Sequence, residues 1–317
     1  MTRILVTPRS LTSVSHPAIQ ALEAQGYEIV MPLAGKLPEE TDLLRLLSGC
    51  AGWLAGVERV SAAVIEAAAD LRVISRNGVG TDNLPMDVVR RRGITVRTAD
   101  GANAAGVAEL AIGLMLASLR HIPAADAGIK SGAWPRRRGR EVRGRVIGVV
   151  GCGAIGREVI RLGAALGASV LAFDPARPDG AVTERFRWAE IPEILAAADI
   201  ISLHCPPPPD GRPLIGAPEL ASMPPGGIIV NTARAALVDE TAIIESLNAG
   251  RLSVYAADVF AEEPPLSLVL AGHGGVIATS HIGAFTEESV DRATEIAVAN
   301  LIEGLQTLPS AQNRLAG

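Results

Sequence analysis

The sequence predicts an α/β protein built from two doubly wound parallel-sheet domains, and three observations predict it. Short β-branched runs alternate with Ala/Leu-rich segments from end to end, the βαβα rhythm of parallel strands flanked by helices. The strands are apolar throughout instead of alternating, as expected where helices bury both sheet faces. The chain has 317 residues; at about 100–200 residues per domain, that length accommodates two domains.

The first third reads as strand Ile4–Val6, helix Pro17–Gln25, strand Glu28–Met31 and helix Glu39–Leu47. Strand Gly52–Leu54, helix Ala62–Ala69, strand Arg72–Ser75, helix Met86–Arg91 and strand Ile94–Arg97 follow. Arg9 and Ser10 are read as ending the first strand, where they would face the cleft. The organisation changes near residue 100, where Asp100-Gly101-Ala102-Asn103 is turn chemistry. A long apolar helix, about Ala105–Leu119, follows with Asn103 as its cap. Gly128–Gly144 reads as an Arg-rich loop. A second βαβ series runs from Val146 to about Ile282, and Glu287–Leu305 is a last amphipathic helix.

Composition excludes several classes. Hydrophobic residues make up 48% and charged residues 20%, which rules out a disordered or fibrous chain. The net charge of −5 argues against nucleic-acid binding. Cys50, Cys152 and Cys205 form no CxxC or Cys/His cluster, so neither a disulfide framework nor a metal site is expected. The apolar stretch Leu110–Leu119 is too short to span a bilayer, and the N-terminus is too weakly apolar for a signal peptide. A soluble, reducing, cytoplasmic setting is the expectation.

The strongest local signal is Val146–Val150 running into Gly151-Cys152-Gly153-Ala154-Ile155-Gly156 and a helix over Arg157–Leu166. The next strand, Ser169–Phe173, ends in Asp174. Strand, glycines, helix, strand and acid in this order form the dinucleotide fingerprint. Gly151 permits the tight turn, Gly153 the approach of the pyrophosphate, and Gly156 close packing of helix and strand. The helix N-terminus, with Ala154 and Ile155, faces the phosphates. Asp174 would accept both ribose hydroxyls and repel a 2′-phosphate, which selects NAD over NADP; Arg177 is the one neighbour that softens the preference.

Three further strands end in chemistry-bearing segments. Ile228–Val230 leads into Asn231-Thr232-Ala233-Arg234. Ser253–Ala256 leads into Asp258 and Glu262-Glu263-Pro264-Pro265, and Val276–Thr279 into His281-Ile282-Gly283-Ala284. Ligands of open parallel sheets bind beyond the carboxyl ends of strands, so an arginine, a carboxylate and an imidazole are expected to converge there.

Together with Gly78-Val79-Gly80-Thr81-Asp82-Asn83 and Asn103…Val107-Ala108-Glu109, these segments resemble the D-isomer-specific 2-hydroxyacid dehydrogenase family, and its 3-phosphoglycerate-dehydrogenase-like members above all. The resemblance covers nearly the whole chain. It implies a Rossmann NAD domain, residues 100–283, inserted into a flavodoxin-like substrate domain made of residues 1–99 and 284–317. It implies His281 as general acid/base, Glu263 as its partner and Arg234 as the substrate anchor. Imidazole titrates near neutral pH, which suits proton removal as hydride leaves an alcohol. A guanidinium fork matches a carboxylate. Asn77-Gly78-Val79-Gly80 would form a nest of N–H groups for the substrate carboxylate. Val79, Asn103, Cys205, Pro206, Thr232, Ala233, Asp258, His281, Gly283 and Ala284 match cofactor-lining positions, with Asp258 at the nicotinamide amide. A homodimer through the inserted domain is implied.

Duller readings stand beside these. His16 reads as a helix start, His121 as a helix end, His204 as a strand-end residue and His273 as part of a Gly-rich loop. Cys205 reads as a packing residue. The run Arg136–Arg145 reads as a solvated loop, or as a segment that reaches a partner subunit's site. Arg76 favours a substrate with a second anionic group, such as 3-phosphoglycerate. Ala55 stands where phosphoglycerate dehydrogenases usually place another phosphate-binding arginine, and no added regulatory domain is expected. Two other functions share this scaffold: an NAD-binding corepressor-like module without turnover, and a formate dehydrogenase, against which Glu263 speaks.

Overall fold

A computed structural model describes residues 1–14, 16–178 and 184–307. The chain divides into two compact units, one of Met1–Asn103 with the segment from Glu287 onward, the other Ala104–Thr286. The expected divisions at 99/100 and 283/284 differ by a few residues. Ala99 and Ala102 pack with Ala293 in one apolar cluster, so the Asp100–Asn103 turn stays with the first unit. Residues 308–317 of the expected 284–317 segment lie outside the described residues.

The first unit runs β1 (Arg3–Val6), α1 (Arg9–Ser13), α2 (Pro17–Ala24), β2 (Glu28–Val30), α3 (Glu40–Leu46), β3 (Cys50–Ala55), α4 (Ala62–Ala67), β4 (Val73–Arg76), α5 (Met86–Arg91) and β5 (Thr95–Arg97). Its five strands are all parallel, in the order β2-β1-β3-β4-β5, the flavodoxin-like arrangement. Arg9 and Ser10 open the short helix α1 instead of extending the first strand. His16 caps α2, its Nδ1 accepting the Ala18 N–H at 3.1 Å.

The second unit continues with α6 (Ala104–Arg120), α7 (Ile122–Lys130), β6 (Val146–Val150), α8 (Ala154–Ala165), β7 (Ser169–Phe173), β8 (Phe186–Trp188), α9 (Ile191–Ala197), β9 (Ile200–Leu203) and α10 (Ala217–Ser222). Then come β10 (Gly227–Asn231), α11 (Glu240–Asn248), β11 (Leu252–Ala257), α12 (Leu268–Ala271) and β12 (Val276–Ala278). The seven strands are parallel in the order β12-β11-β10-β9-β6-β7-β8, which contains the Rossmann order extended by one strand. The final helix α13 (Glu287–Thr307) belongs to the first unit, where Ala297, Leu301 and Leu305 pack against Ile4, Leu54 and Val73. Ser75 Oγ donates to the Ala297 carbonyl at 2.7 Å, a bond between residues 222 apart in sequence.

The expected loop from Gly128 is helical as far as Lys130. His121 takes a left-handed conformation with φ 54°, ending α6, and Pro123 stands near the start of the next helix. That helix buries none of its residues, and its Ile122 and Ile129 are exposed. Of the arginine run, Arg140 donates to the Gly226 carbonyl at 2.8 Å and Arg145 pairs with Asp199 at 3.1 Å, while Arg136–Arg138 are exposed. No single helix among the described residues is long and apolar enough to cross a membrane.

Candidate functional site

All seven strands of the second unit point the same way, so every segment that follows a strand emerges at one carboxyl edge. The glycine loop follows β6, Asp174 follows β7, Cys205 and Pro206 follow β9, Arg234 follows β10, Glu263 follows β11 and His281 follows β12.

The glycines have separable roles. Gly151 has φ +92°, and a Cβ there would lie 2.5 Å from the His204 carbonyl oxygen. A Cβ on Gly156 would lie 2.0 Å from the Gly151 carbonyl oxygen, so helix and loop touch backbone to backbone. A Cβ on Gly153 would meet no protein atom within 4 Å. Gly153 is the N-cap of α8 and is exposed. Its lack of a side chain therefore preserves space at a helix N-terminus, where unpaired N–H groups favour phosphate. The Thr232 hydroxyl, on the turn after β10, is buried without a partner. An open cradle and an orphaned hydroxyl fit a bound dinucleotide. Asp174 accepts the Cys152 N–H at 2.8 Å and the Ala176 N–H at 2.9 Å, which fixes its carboxylate against the glycine loop.

The imidazole and carboxylate predicted to pair are paired. His281 Nδ1 lies 2.6 Å from Glu263 Oε2, and Glu263 Oε1 accepts the Phe260 N–H at 3.1 Å. An ionised carboxylate only accepts, so Nδ1 is the protonated nitrogen and Nε2 is left to exchange a proton. His281 has φ +55°, and the loop is held from beneath by Asp258. Asp258 is buried; its Oδ1 accepts Thr279 Oγ1–H at 2.6 Å and the Ile282 N–H at 2.9 Å, and its Oδ2 accepts the Gly283 N–H at 2.8 Å. A Cβ on Gly283 would come 3.0 Å from that Oδ2. The Asp258 carboxylate is thus committed chiefly to positioning the His281 turn, a role the sequence did not reveal.

A cavity of about 680 Å³ opens beside the pair, walled by Phe260, Glu263, Pro264, Thr279, His281 and Ile282. Arg234 and the glycine loop do not line it. Asn231 at the end of β10 shapes the Arg234 turn, its Nδ2 donating to the Arg234 carbonyl at 2.9 Å and its Oδ1 accepting the Ala233 N–H at 3.1 Å. Arg234 Nη1 donates to the Ala233 carbonyl at 2.8 Å. Ala284 is half-buried beyond Gly283.

Burial pushes the Cys152 thiol up to about 12 and raises that of Cys205, so neither is a nucleophile. Burial pushes the His204 imidazole down to about 4, so it is neutral at pH 7. The residue keeps some exposed surface, but its Nδ1 is shielded from solvent and its Nε2 lies 2.8 Å from Ser202 Oγ. Among the described residues, no three His, Cys, Asp or Glu side chains gather as metal ligands.

In the first unit, the Asn77-Gly78-Val79-Gly80 turn follows β4. The Asn77 N–H donates to the Ala55 carbonyl at 2.9 Å, so the expected nest starts one residue later, at Gly78 with φ +156°. Val79 is exposed, and Asn103 immediately precedes α6.

Comparison with known proteins matches residues 112–283 to the sequence model of the D-isomer specific 2-hydroxyacid dehydrogenase NAD binding domain. The chain belongs to this dehydrogenase family. NAD is accordingly the cofactor of its nucleotide domain. The chain is 38% identical over 301 residues to a D-3-phosphoglycerate dehydrogenase of Methanocaldococcus jannaschii, covering 93% of this chain and 56% of that protein. It is 38% identical over 239 residues to a hydroxypyruvate reductase of Thermotoga maritima, covering 74% and 78% respectively. An NAD+-bound 3-phosphoglycerate dehydrogenase structure from Entamoeba histolytica superposes with a TM-score of 0.80 at 27% identity, covering 96% of each chain. The chain spans about half the length of the curated D-3-phosphoglycerate dehydrogenases it matches.

Proposed function

We propose that the chain is an NAD-dependent oxidoreductase that interconverts a D-2-hydroxy acid and its 2-oxo acid. The observation that carries this reading is the His281–Glu263 pair, 2.6 Å apart on the carboxyl edge that also bears the glycine loop. Bound NAD supplies the two-electron acceptor for the hydride leaving C2. In that oxidation the hydroxyl proton passes to His281 Nε2, and in reduction the same nitrogen returns it to the carbonyl oxygen. Glu263 holds the ring by Nδ1, so that one nitrogen serves both directions. Arg234 receives the substrate carboxylate and polarises the adjacent carbonyl. On the first unit, the turn over Gly78–Gly80 presents N–H groups of the kind that bind a carboxylate.

Gly151, Gly153, Ala154, Ile155 and Gly156 hold the pyrophosphate, Asp174 the adenine ribose, and Thr232 a polar group of the cofactor. The names of the relatives favour this catalytic reading over a binding module. The protein acts as a cytoplasmic homodimer on a small anionic substrate, without nucleic acid or membrane. The test is NADH oxidation by the purified chain against hydroxypyruvate, glyoxylate, 3-phosphohydroxypyruvate, 2-oxoglutarate and sugar-derived 2-oxo acids, repeated with NADPH. Turnover of at least one acid with NADH preferred is expected. Inertness across the panel overturns the reading.

A further inference from the structure

The cavity beside the His281–Glu263 pair has walls whose chemistry the reaction above leaves unused. All of its lining residues belong to the second unit. Most of them are apolar: Phe260, Pro264, Pro265, Ala271, Ala278 and Ile282. The polar remainder is small and largely committed. Thr279 Oγ1–H donates to Asp258 Oδ1 at 2.6 Å, and Glu263 holds His281 by Nδ1, which leaves the Ser280 hydroxyl. Leu266, Leu268, Val269 and Phe285, on the segments that supply these walls, are exposed.

Among the described residues, no arginine or lysine lines the cavity. The sequence of this region is devoid of both: neither residue occurs between Arg251 and Arg292, while Asp258, Glu262, Glu263, Glu287, Glu288 and Asp291 all fall in that span. A phosphate or a second carboxylate would find no guanidinium fork or ammonium here, and it would face the Glu263 carboxylate. An apolar group meets neither problem and gains by leaving water. The volume of about 680 Å³ lies in the range of pockets that enclose small molecules between apolar walls with a few convergent polar groups.

We propose that this cavity receives the side chain of the 2-oxo acid, so that the substrate carries an apolar group of several carbons instead of a phosphate or a second carboxylate. This rests on the oxidoreductase reading and names the substrate class of that site. The proton exchanged at C2 passes through His281, so the substituents of C2 lie within reach of the walls that flank the imidazole. One of those substituents, the carboxylate, belongs to Arg234 in that reading, and Arg234 does not line the cavity. The cavity is left to the other substituent, and its walls suit hydrocarbon.

The experiment compares kcat/KM with NADH for 4-methyl-2-oxopentanoate, glyoxylate and 3-phosphohydroxypyruvate, which carry a branched hydrocarbon, a hydrogen and a phosphate-bearing group at C2. A single methylene in an apolar pocket is worth about 10-fold or more, so the wild-type chain is expected to favour the branched acid over each of the others at least about 10-fold. Ala278→Arg places a cation in the wall and is expected to reduce the preference over the phosphorylated acid at least about 10-fold. Ala271→Arg, on α12, makes the same change should the first variant not fold. A wild-type preference for the phosphorylated acid, which the charge of Arg76 favours on sequence grounds, overturns the proposal and leaves the oxidoreductase reading standing. Equal use of glyoxylate and the branched acid does the same, because the cavity then adds nothing. An unchanged ratio in a folded arginine variant also overturns it. Absence of turnover with all three acids overturns the oxidoreductase reading and this proposal with it.

Discussion

At the carboxyl edge of the seven-stranded sheet, the side chains of His281 and Glu263 are 53% and 37% exposed. At the same edge of the five-stranded sheet, Glu58 and Arg76 are sealed from solvent and locked to their own backbone. A group that passes a proton to a substrate must be reachable and must change charge at low cost. A charge sealed beneath backbone groups is screened less, because solvent is kept from it. One sheet thus keeps an ionisable pair within reach of solvent, while the other seals its charges against its own backbone.

The largest effect expected on stability sharpens this within one loop. Gly156→Ala drives a Cβ into the Gly151 carbonyl, whereas Gly153→Ala places one in open space. Gly156→Ala should destabilise the second unit by about 3 kcal/mol or more, the scale of forced overpacking, and abolish NADH binding. Gly153→Ala should leave the melting temperature nearly unchanged and weaken NADH at least about 10-fold, a loss of roughly 1.4 kcal/mol. Calorimetry and NADH fluorescence titration separate the two; equal effects on folding would break the assignment of roles to the glycines.

The buried imidazole gives the next effect. His204 holds a proton in the folded chain only below about 4, whereas in the unfolded chain it does so below about 6.5. Between those values the unfolded state takes up the extra proton, so this contribution is complete above pH 6.5 and is lost as pH falls toward 4. The loss should approach about 3 kcal/mol. Denaturant titrations across this range should show it, and His204→Gln should flatten the dependence. A similar slope in both proteins would contradict it.

Smaller still is the stability contrast between the two carboxylates. Glu58→Ala leaves the Gly56 N–H and the Thr7 hydroxyl only their longer bonds, to Thr7 Oγ1 at 3.2 Å and the Leu54 carbonyl at 3.3 Å, and should cost about 1–2 kcal/mol. Glu263→Ala breaks a largely exposed pair and should cost less than about 1 kcal/mol. Unfolding midpoints that rank the two the other way would break the buried-versus-accessible comparison.

Much of this was legible in the sequence because it is local. Met86–Arg91 and Ser169–Phe173 were bounded as observed, and the glycine fingerprint announced itself by spacing. The strand-end placement of Arg234, Glu263 and His281 is legible because parallel topology sends every such segment to one edge, and of the three it is His281 and Glu263 that meet. Other features depend on tertiary contacts. Asp258 reads as one more acid until the fold brings Thr279, Ile282 and Gly283 onto it. Glu58 looks like a loop charge until Thr7 and Gly56 close over it. Helix α7 is not expected from the sequence, and none of its residues packs into a core. The charge of Arg76 is legible in the sequence, but its 5% exposure and its bond to the Gly80 carbonyl depend on the fold.

The central claim is that the His281 imidazole, held by Glu263, moves the proton that accompanies hydride transfer. Its most direct test is single-turnover reduction of the best 2-oxo acid by His281→Ala, with NADH affinity measured on the same sample. The account predicts a rate at least about 10²-fold below wild type, the usual scale for a lost general acid/base, with NADH binding within a few-fold. A wild-type rate in that variant would contradict it.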